Sequence, residues 1–176
     1  YWTIKLAKIL IKEKKADIIY SANTLSHIEN LDETFNAINI ALKHDGVLIL
    51  EGPALLPCIK FNIYDQFYCE HIYVFSTISL KQILKKYDFE IFDLKNLSTH
   101  GGSTRYFIKK RINKKIKIYN SVNKEINKEI TFGLSKFSTY KKFAKNVKKS
   151  RLKLISILKQ LKSSKKKVIG YGATAK

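Results

Sequence analysis

Apolar and polar positions alternate in blocks along the first 110 residues, and each block predicts an element. Ile4, Leu6, Ala7, Ile9, Leu10 and Ile11 predict a helix over 2–14 with one wide buried face. Residues 16–20 read as a short buried strand that ends at the small polar residues Ser21, Ala22 and Asn23. Asn30 followed by Glu33 resembles a capping box, and Leu31, Phe35, Ile38 and Leu42 follow at helical spacing. Gly46 is expected to close that helix as a left-handed cap. The unbroken run Val47, Leu48, Ile49, Leu50 then predicts a parallel strand covered on both faces. Strand, helix and strand within about forty residues make a βαβ unit.

Glu51, Gly52 and Pro53 are expected to break the strand, and 53–75 reads as a long irregular stretch rich in aromatics. Ser76 caps a predicted helix to about Tyr87; strands follow over 89–94 and 104–108, close enough to pair antiparallel. Beyond Lys109 the chain turns basic and helical, with an apolar stripe at Tyr140, Phe143, Val147, Leu154, Leu158 and Leu161. A last strand is expected over 167–172, entering a glycine turn at Gly170 and Gly172. The fold class expected is α/β: an open sheet with an antiparallel last strand, then helices and the start of a second α/β unit. Residues 1–109 form the first division and residues 110–176 the second.

The 176 residues suffice for one ordinary domain or parts of two. The net charge of +20 suits a nucleic-acid or anionic-membrane binder, yet the lysines follow no stripe interleaved with aromatics. They read instead as the residue usage of an AT-rich genome, in a field that also draws in an anionic small molecule. Neither nucleic acid nor membrane is expected as a partner, and no apolar run approaches the roughly 20 residues a membrane span needs. Cys58 and Cys69 have neither zinc-knuckle nor disulfide-framework spacing, which suits thiols in a reducing cytoplasm. The first residue is Tyr1 and the chain has no Met, so it is expected to be a piece of a longer protein.

Candidate chemistry gathers in two places. Residues 65–71, Asp-Gln-Phe-Tyr-Cys-Glu-His, lie beyond the carboxyl end of the second strand, where open α/β sheets bind ligands. His27 follows the first strand, so His27, Tyr68, Glu70 and His71 are expected to face one crevice. The alternatives are a surface residue for His27, a core aromatic for Tyr68 and a solvated pair for Glu70 and His71. Residues 99–105, Thr-His-Gly-Gly-Ser-Thr-Arg, offer two glycines for close backbone approach and an Arg105 able to grip a phosphate or carboxylate. A glycine turn with a surface arginine is the alternative there.

At these residues the sequence resembles the S-adenosylmethionine-dependent sugar C-methyltransferases, which act on nucleotide-linked 4-keto-deoxysugars. Residues 16–28 look like the fourth strand and following turn of their class I, Rossmann-like methyltransferase sheet. Residues 65–76 resemble their Tyr-x-Glu-His catalytic loop, residues 99–102 their His-Gly-Gly motif, and residues 170–176 their Gly-Tyr-Gly-Ala-x-x-Lys segment. The resemblance implies three domains, of which this chain would lack the zinc-binding first and the glycine-rich cofactor loop of the second. It would enter just before the fourth strand and end early in the third domain.

The resemblance further implies S-adenosylmethionine as cofactor, with zinc only in the first domain and no metal site here. It implies His71 as base, Tyr68 as donor to an enolate oxygen, Glu70 as the group that orients His71 or binds a sugar hydroxyl, and His27 as proton relay or sugar ligand. Ala22 and Asn23 would lie near the cofactor; His100, Arg105 and Lys176 would meet the nucleotide-sugar substrate. A cytoplasmic monomer is expected. Two alternatives stay open: an O- or N-methyltransferase of a small molecule, and a basic nucleic-acid-binding module, which steep salt dependence of DNA binding would reveal.

Overall fold

The computed structural model describes residues 2–172. Its elements run α1 (Ile4–Leu10), β1 (Ala16–Ala22), α2 (Leu31–Ala41), β2 (Leu42–Pro53), α3 (Leu55–Phe61), α4 (Thr77–Lys85), β3 (Phe89–Leu97), β4 (Ser103–Lys110), α5 (Asn120–Phe132) and α6 (Phe137–Ser163). The four strands form one mixed sheet in the order β1-β2-β4-β3. β1 and β2 are parallel, and β4 runs antiparallel to both β2 and β3. The expected β3–β4 pairing is therefore present, and β4 also inserts between β2 and β3.

One face of this sheet carries the core. Leu48 and Leu50 of β2, Tyr106 and Ile108 of β4, and Ile91 and Leu94 of β3 pack with Phe35 and Ile38 of α2, Leu80 and Leu84 of α4, and Val122 of α5. Successive strand residues point to opposite faces, so Ile18 and Tyr20 of β1 point away from that core and are 63% and 56% exposed. β1 is an outer strand of the sheet, so the sequence expectation of a buried first strand fails: its residues are half-buried or exposed.

The caps follow the sequence. Asn30 Oδ1 accepts from the Glu33 amide at 2.9 Å, and Ser76 with Ser79 forms a complete capping box at α4. Gly46 is a correction: it has no left-handed backbone and lies inside β2, where a Cβ would stand 2.8 Å from Leu42 Cδ1 and 3.0 Å from the Asp17 carbonyl. Close packing against β1, not a turn, explains the glycine. Residues 51–53 do not break β2, which runs to Pro53, and the stretch expected to be irregular contains α3 and a short 3-10 turn at Tyr64–Gln66. The first helix is shorter than expected, Ile4–Leu10.

The helices expected beyond Lys109 form as α5 and the basic α6, but the apolar stripe of α6 is largely uncovered, with Leu154 54% exposed. The strand expected over 167–172 is absent: these residues carry no regular structure and are exposed.

A buried carboxylate ties α5 to α4. Glu129 accepts the Thr77 amide at 2.6 Å and the Ile78 amide at 2.9 Å, satisfying two donors at the start of α4 that the helix itself leaves unpaired. Burial pushes its carboxyl above the usual glutamate value, against those amide bonds. Burial likewise raises the hydroxyl of Tyr106, which bonds Thr77 at 3.3 Å.

Candidate active site

The parallel strands β1 and β2 end side by side, and the loops beyond them bring three aromatic side chains together. β1 turns at Asn23, whose left-handed backbone (φ 53°) lets its amide reach the Glu51 carbonyl at 2.8 Å. The chain then makes a 3-10 turn, Leu25–His27, that buries Leu25 and Ser26 and leaves His27 exposed. The loop after α3 returns to this turn: the Ile72 and Tyr73 amides both donate to the Ser26 carbonyl, at 2.8 and 3.3 Å. That docking sets His71 against His27, with ring centroids 4.8 Å apart and the planes at 70°.

Tyr68 packs on the same histidine at 4.3 Å between centroids. Its Oη lies 3.2 Å from His71 Nε2, and His71 Nδ1 lies 2.9 Å from the Gln66 carbonyl oxygen. A carbonyl only accepts, so Nδ1 carries the proton of the neutral ring and Nε2 holds the lone pair that accepts from Tyr68. The imidazole is thus fixed in one tautomer with its basic nitrogen beside a phenol.

Of the four residues expected to face one crevice, His27, Tyr68 and His71 stand in ring contact. Glu70 does not join them: it is exposed, and His71 Nδ1 meets the Gln66 carbonyl. A backbone carbonyl five residues upstream leaves no signal in side-chain identity, which is why sequence reading missed Gln66. Phe67 was also missed; its ring lies 5.7 Å from that of Phe143, so α6 braces the loop just before Tyr68.

Ala22 and Asn23 stand at the carboxyl end of β1, Asn23 with its side chain exposed. His27 lines a cleft of about 520 Å³ together with Trp2, Thr3, Glu29, Asn30 and Glu33. Trp2 Nε1 is buried without a hydrogen-bond partner.

The second cluster is arranged differently. Arg105 lies directly across from Glu51 in the β2–β4 ladder; its Nε donates to Glu51 Oε2 at 2.7 Å, and the Tyr20 hydroxyl reaches the same oxygen at 3.5 Å. The bond to Glu51 holds the guanidinium above its ordinary value. Arg105 thus makes a cross-strand ion pair with Glu51 through Nε and Nη2, with its side chain 36% exposed. His100 is exposed in the β3–β4 connection with a left-handed backbone (φ 54°). A Cβ on Gly101 would meet Ile63 at 2.7 Å and one on Gly102 would meet Pro57 at 2.6 Å, so the close approach these glycines permit is to the chain's own loop. Lys176 lies outside the described residues. Among the described residues no group of three His, Cys, Asp or Glu is placed to hold a metal ion, no disulfide joins the cysteines, and no helix is long and apolar enough to cross a membrane.

Residues 98–176 match the C-methyltransferase C-terminal domain, and residues 5–94 match a methyltransferase domain. The chain is 25% identical over 169 residues to the C-methyltransferase NovU of Streptomyces niveus, covering 96% of this chain and 40% of that protein. It thus spans well under half the length of that curated relative. Among solved structures it is similar to a SAM-dependent methyltransferase from Anabaena variabilis (TM-score 0.46, 14% identity, 62% of this chain and 56% of that one). It is also similar to magnesium protoporphyrin IX methyltransferase (ChlM) from Synechocystis (TM-score 0.40, 19% identity, 53% and 44%). With the methyltransferase-domain match extending over just over half of its length, the chain belongs to the methyltransferase-domain family.

Proposed function

We propose that the whole protein transfers a methyl group from S-adenosylmethionine to the carbon next to a ketone of a nucleotide-linked deoxysugar. The observation that carries this reading is the tautomer of His71: Nδ1–H bound to the Gln66 carbonyl, and Nε2 basic beside the Tyr68 hydroxyl, at the carboxyl ends of the parallel strands. Carbon next to a ketone reacts only after losing a proton, and a positioned imidazole is suited to take it. The similarity to a C-methyltransferase agrees with an acceptor that needs such a base.

In this reading Nε2 of His71 removes the proton. Tyr68 turns its O–H from Nε2 to the ketone oxygen and stabilises the enolate charge that develops there. His27, edge-on to His71, holds the sugar and shares the proton's onward path. Ala22 and Asn23 suit the polar end of S-adenosylmethionine, since the Asn23 side chain is exposed at the strand end and offers both a donor and an acceptor. When bound, that cofactor supplies an electrophilic methyl group. Division of the chain near Lys109, a monomeric state and a cytoplasmic site of action belong to the same reading.

The test is to incubate the whole protein with S-adenosylmethionine and a TDP-4-keto-deoxysugar and follow the product by mass spectrometry. The expected product carries its new methyl on carbon, and His71→Ala abolishes it. A methyl on oxygen or nitrogen would instead support the O- or N-methyltransferase reading.

A further inference from the structure

We propose that Phe67 and Phe143 are a pair of positioning residues: through Phe143, α6 sets where the loop presents Tyr68 and His71 to a substrate. This rests on the reading of His71 as the base. Neither ring is asked to touch a reacting atom; the pair acts through the loop that carries the base.

Residues 66–71 are closed on themselves. His71 Nδ1 donates to the Gln66 carbonyl at 2.9 Å, Tyr68 Oη donates to His71 Nε2 at 3.2 Å, and the His71 amide donates to the Tyr68 carbonyl at 3.0 Å. These bonds fix the tautomer from within, wherever the segment as a whole lies. Its place against His27 and the strand ends comes from tethers to other elements. Upstream, the Ile63 amide donates to the Cys58 carbonyl of α3 at 2.9 Å; downstream, the Ile72 and Tyr73 amides hold to Ser26. Between these anchors the Phe67 amide donates to the Tyr64 carbonyl at 3.1 Å, a bond inside the loop, while its ring reaches out to Phe143 at 5.7 Å with the planes at 59°. Phe67 stands between Gln66 and Tyr68, the two residues that hold the imidazole, so a shift of its backbone carries both of them and His71 along.

The other half of the pair is firmly seated. Phe143 and Tyr140 of α6 pack against Leu56 and Ile59 of α3 and against Leu134. Tyr140 Oη donates to the Leu134 carbonyl at 2.6 Å and Thr139 Oγ1 to the Gly133 carbonyl at 2.7 Å, which fixes the first turns of α6 to the turn after α5. The helix that starts the loop and the helix that steadies its middle therefore share one apolar cluster. Phe67 itself is 44% exposed, so its contact orders the loop more than it builds a core. Proton transfer from carbon demands a base held to within a fraction of an ångström, and a contact that only sets place can then govern rate.

Steady-state methyl transfer by the whole protein tests this, with Phe67→Ala, Phe143→Ala and the double variant. Phe67→Ala should lower kcat about tenfold, leave KM for S-adenosylmethionine unchanged and barely move Tm, because its ring is largely at the surface. The double variant should be no slower than the slower single variant, since both changes remove one contact, and Phe67→Leu should recover most of the rate. The pH at which the rate is half-maximal should stay at its wild-type value throughout, because the bonds within residues 66–71 still set the base. A second readout needs no turnover: in nitrogen NMR spectra of histidine-labelled protein, Phe67→Ala should keep His71 protonated at Nδ1 while the ring signals of His27 and His71 shift as their contact changes. Unchanged kcat with unchanged ring signals in Phe67→Ala, or losses that add fully in the double variant, would overturn the proposal. Ring signals that respond in a protein that methylates no keto-sugar keep the brace and refute the reaction; methylation insensitive to both variants keeps the reaction and refutes the brace.

Discussion

Tyr68 and His71 sit on a loop, and Arg105 sits in the middle of a ladder; the two neighbourhoods treat polar side chains in opposite ways. On β4, register assigns Arg105 a partner, because the residue directly opposite on β2 is Glu51 and cross-strand neighbours lie within contact distance. Two of the guanidinium's nitrogens meet that partner. In the loop, no ladder dictates a partner, so the backbone itself supplies one: the Gln66 carbonyl fixes His71, and the Ser26 carbonyl anchors the two residues that follow. This leaves Nε2 and the Tyr68 hydroxyl to each other and to a ligand. A charged residue in a strand is thus poor evidence for a ligand site, whereas a histidine held by its own loop is good evidence.

Substitutions at these positions, with one at the core carboxylate as a stability reference, should separate the two neighbourhoods by size of effect. His71→Ala should lower methyl transfer by about 10²- to 10⁴-fold, the usual contribution of a general base, in steady-state assays. Glu129→Ala should cost about 2–3 kcal/mol in urea denaturation, since it strands the Thr77 and Ile78 amides in a buried place. Its pH dependence has a definite sign. The folded carboxyl lies above its ordinary 4.5, so the folded state binds the proton more tightly than the unfolded. The stability that follows is present below that value and is lost as pH rises through the folded pKa. Glu129→Gln, which lacks the titration, should therefore gain on wild type as pH rises through that window.

Arg105→Ala should lower stability less than Glu129→Ala in the same denaturation measurement, because the arginine side chain of the pair with Glu51 is 36% exposed. Glu70→Ala should have the smallest effect, less than about threefold on the rate, because the Gln66 carbonyl already orients the base. A fall as large as that of His71→Ala would move Glu70 into the catalytic group and break the contrast.

Local signals in the sequence were physically decisive where one element's own atoms settle the outcome. Asn30 and Ser76 cap helices through bonds spanning three residues, and the run from Val47 to Leu50 forms the central strand. Signals failed where distant chain decides. The insertion of β4 between β2 and β3 depends on pairing across more than fifty residues, and with it came the unforeseen Glu51–Arg105 bond. Gly46 reads as a cap locally, but its reason is the Asp17 carbonyl on a neighbouring strand. In the candidate site, His27, Tyr68 and His71 were legible because they lie in the loops beyond the carboxyl ends of the two strands; the carbonyls that aim them were not, because every residue has one.

The central claim, an enolate formed by His71, is tested most directly by proton exchange without methyl transfer. The whole protein is placed in heavy water with the keto-sugar nucleotide and no methyl donor, and deuterium uptake at the carbon beside the ketone is followed by mass spectrometry. Wild type should exchange that proton, and His71→Ala should exchange it no faster than the sugar alone. Exchange by the variant at the wild-type rate would contradict the account and put the base elsewhere.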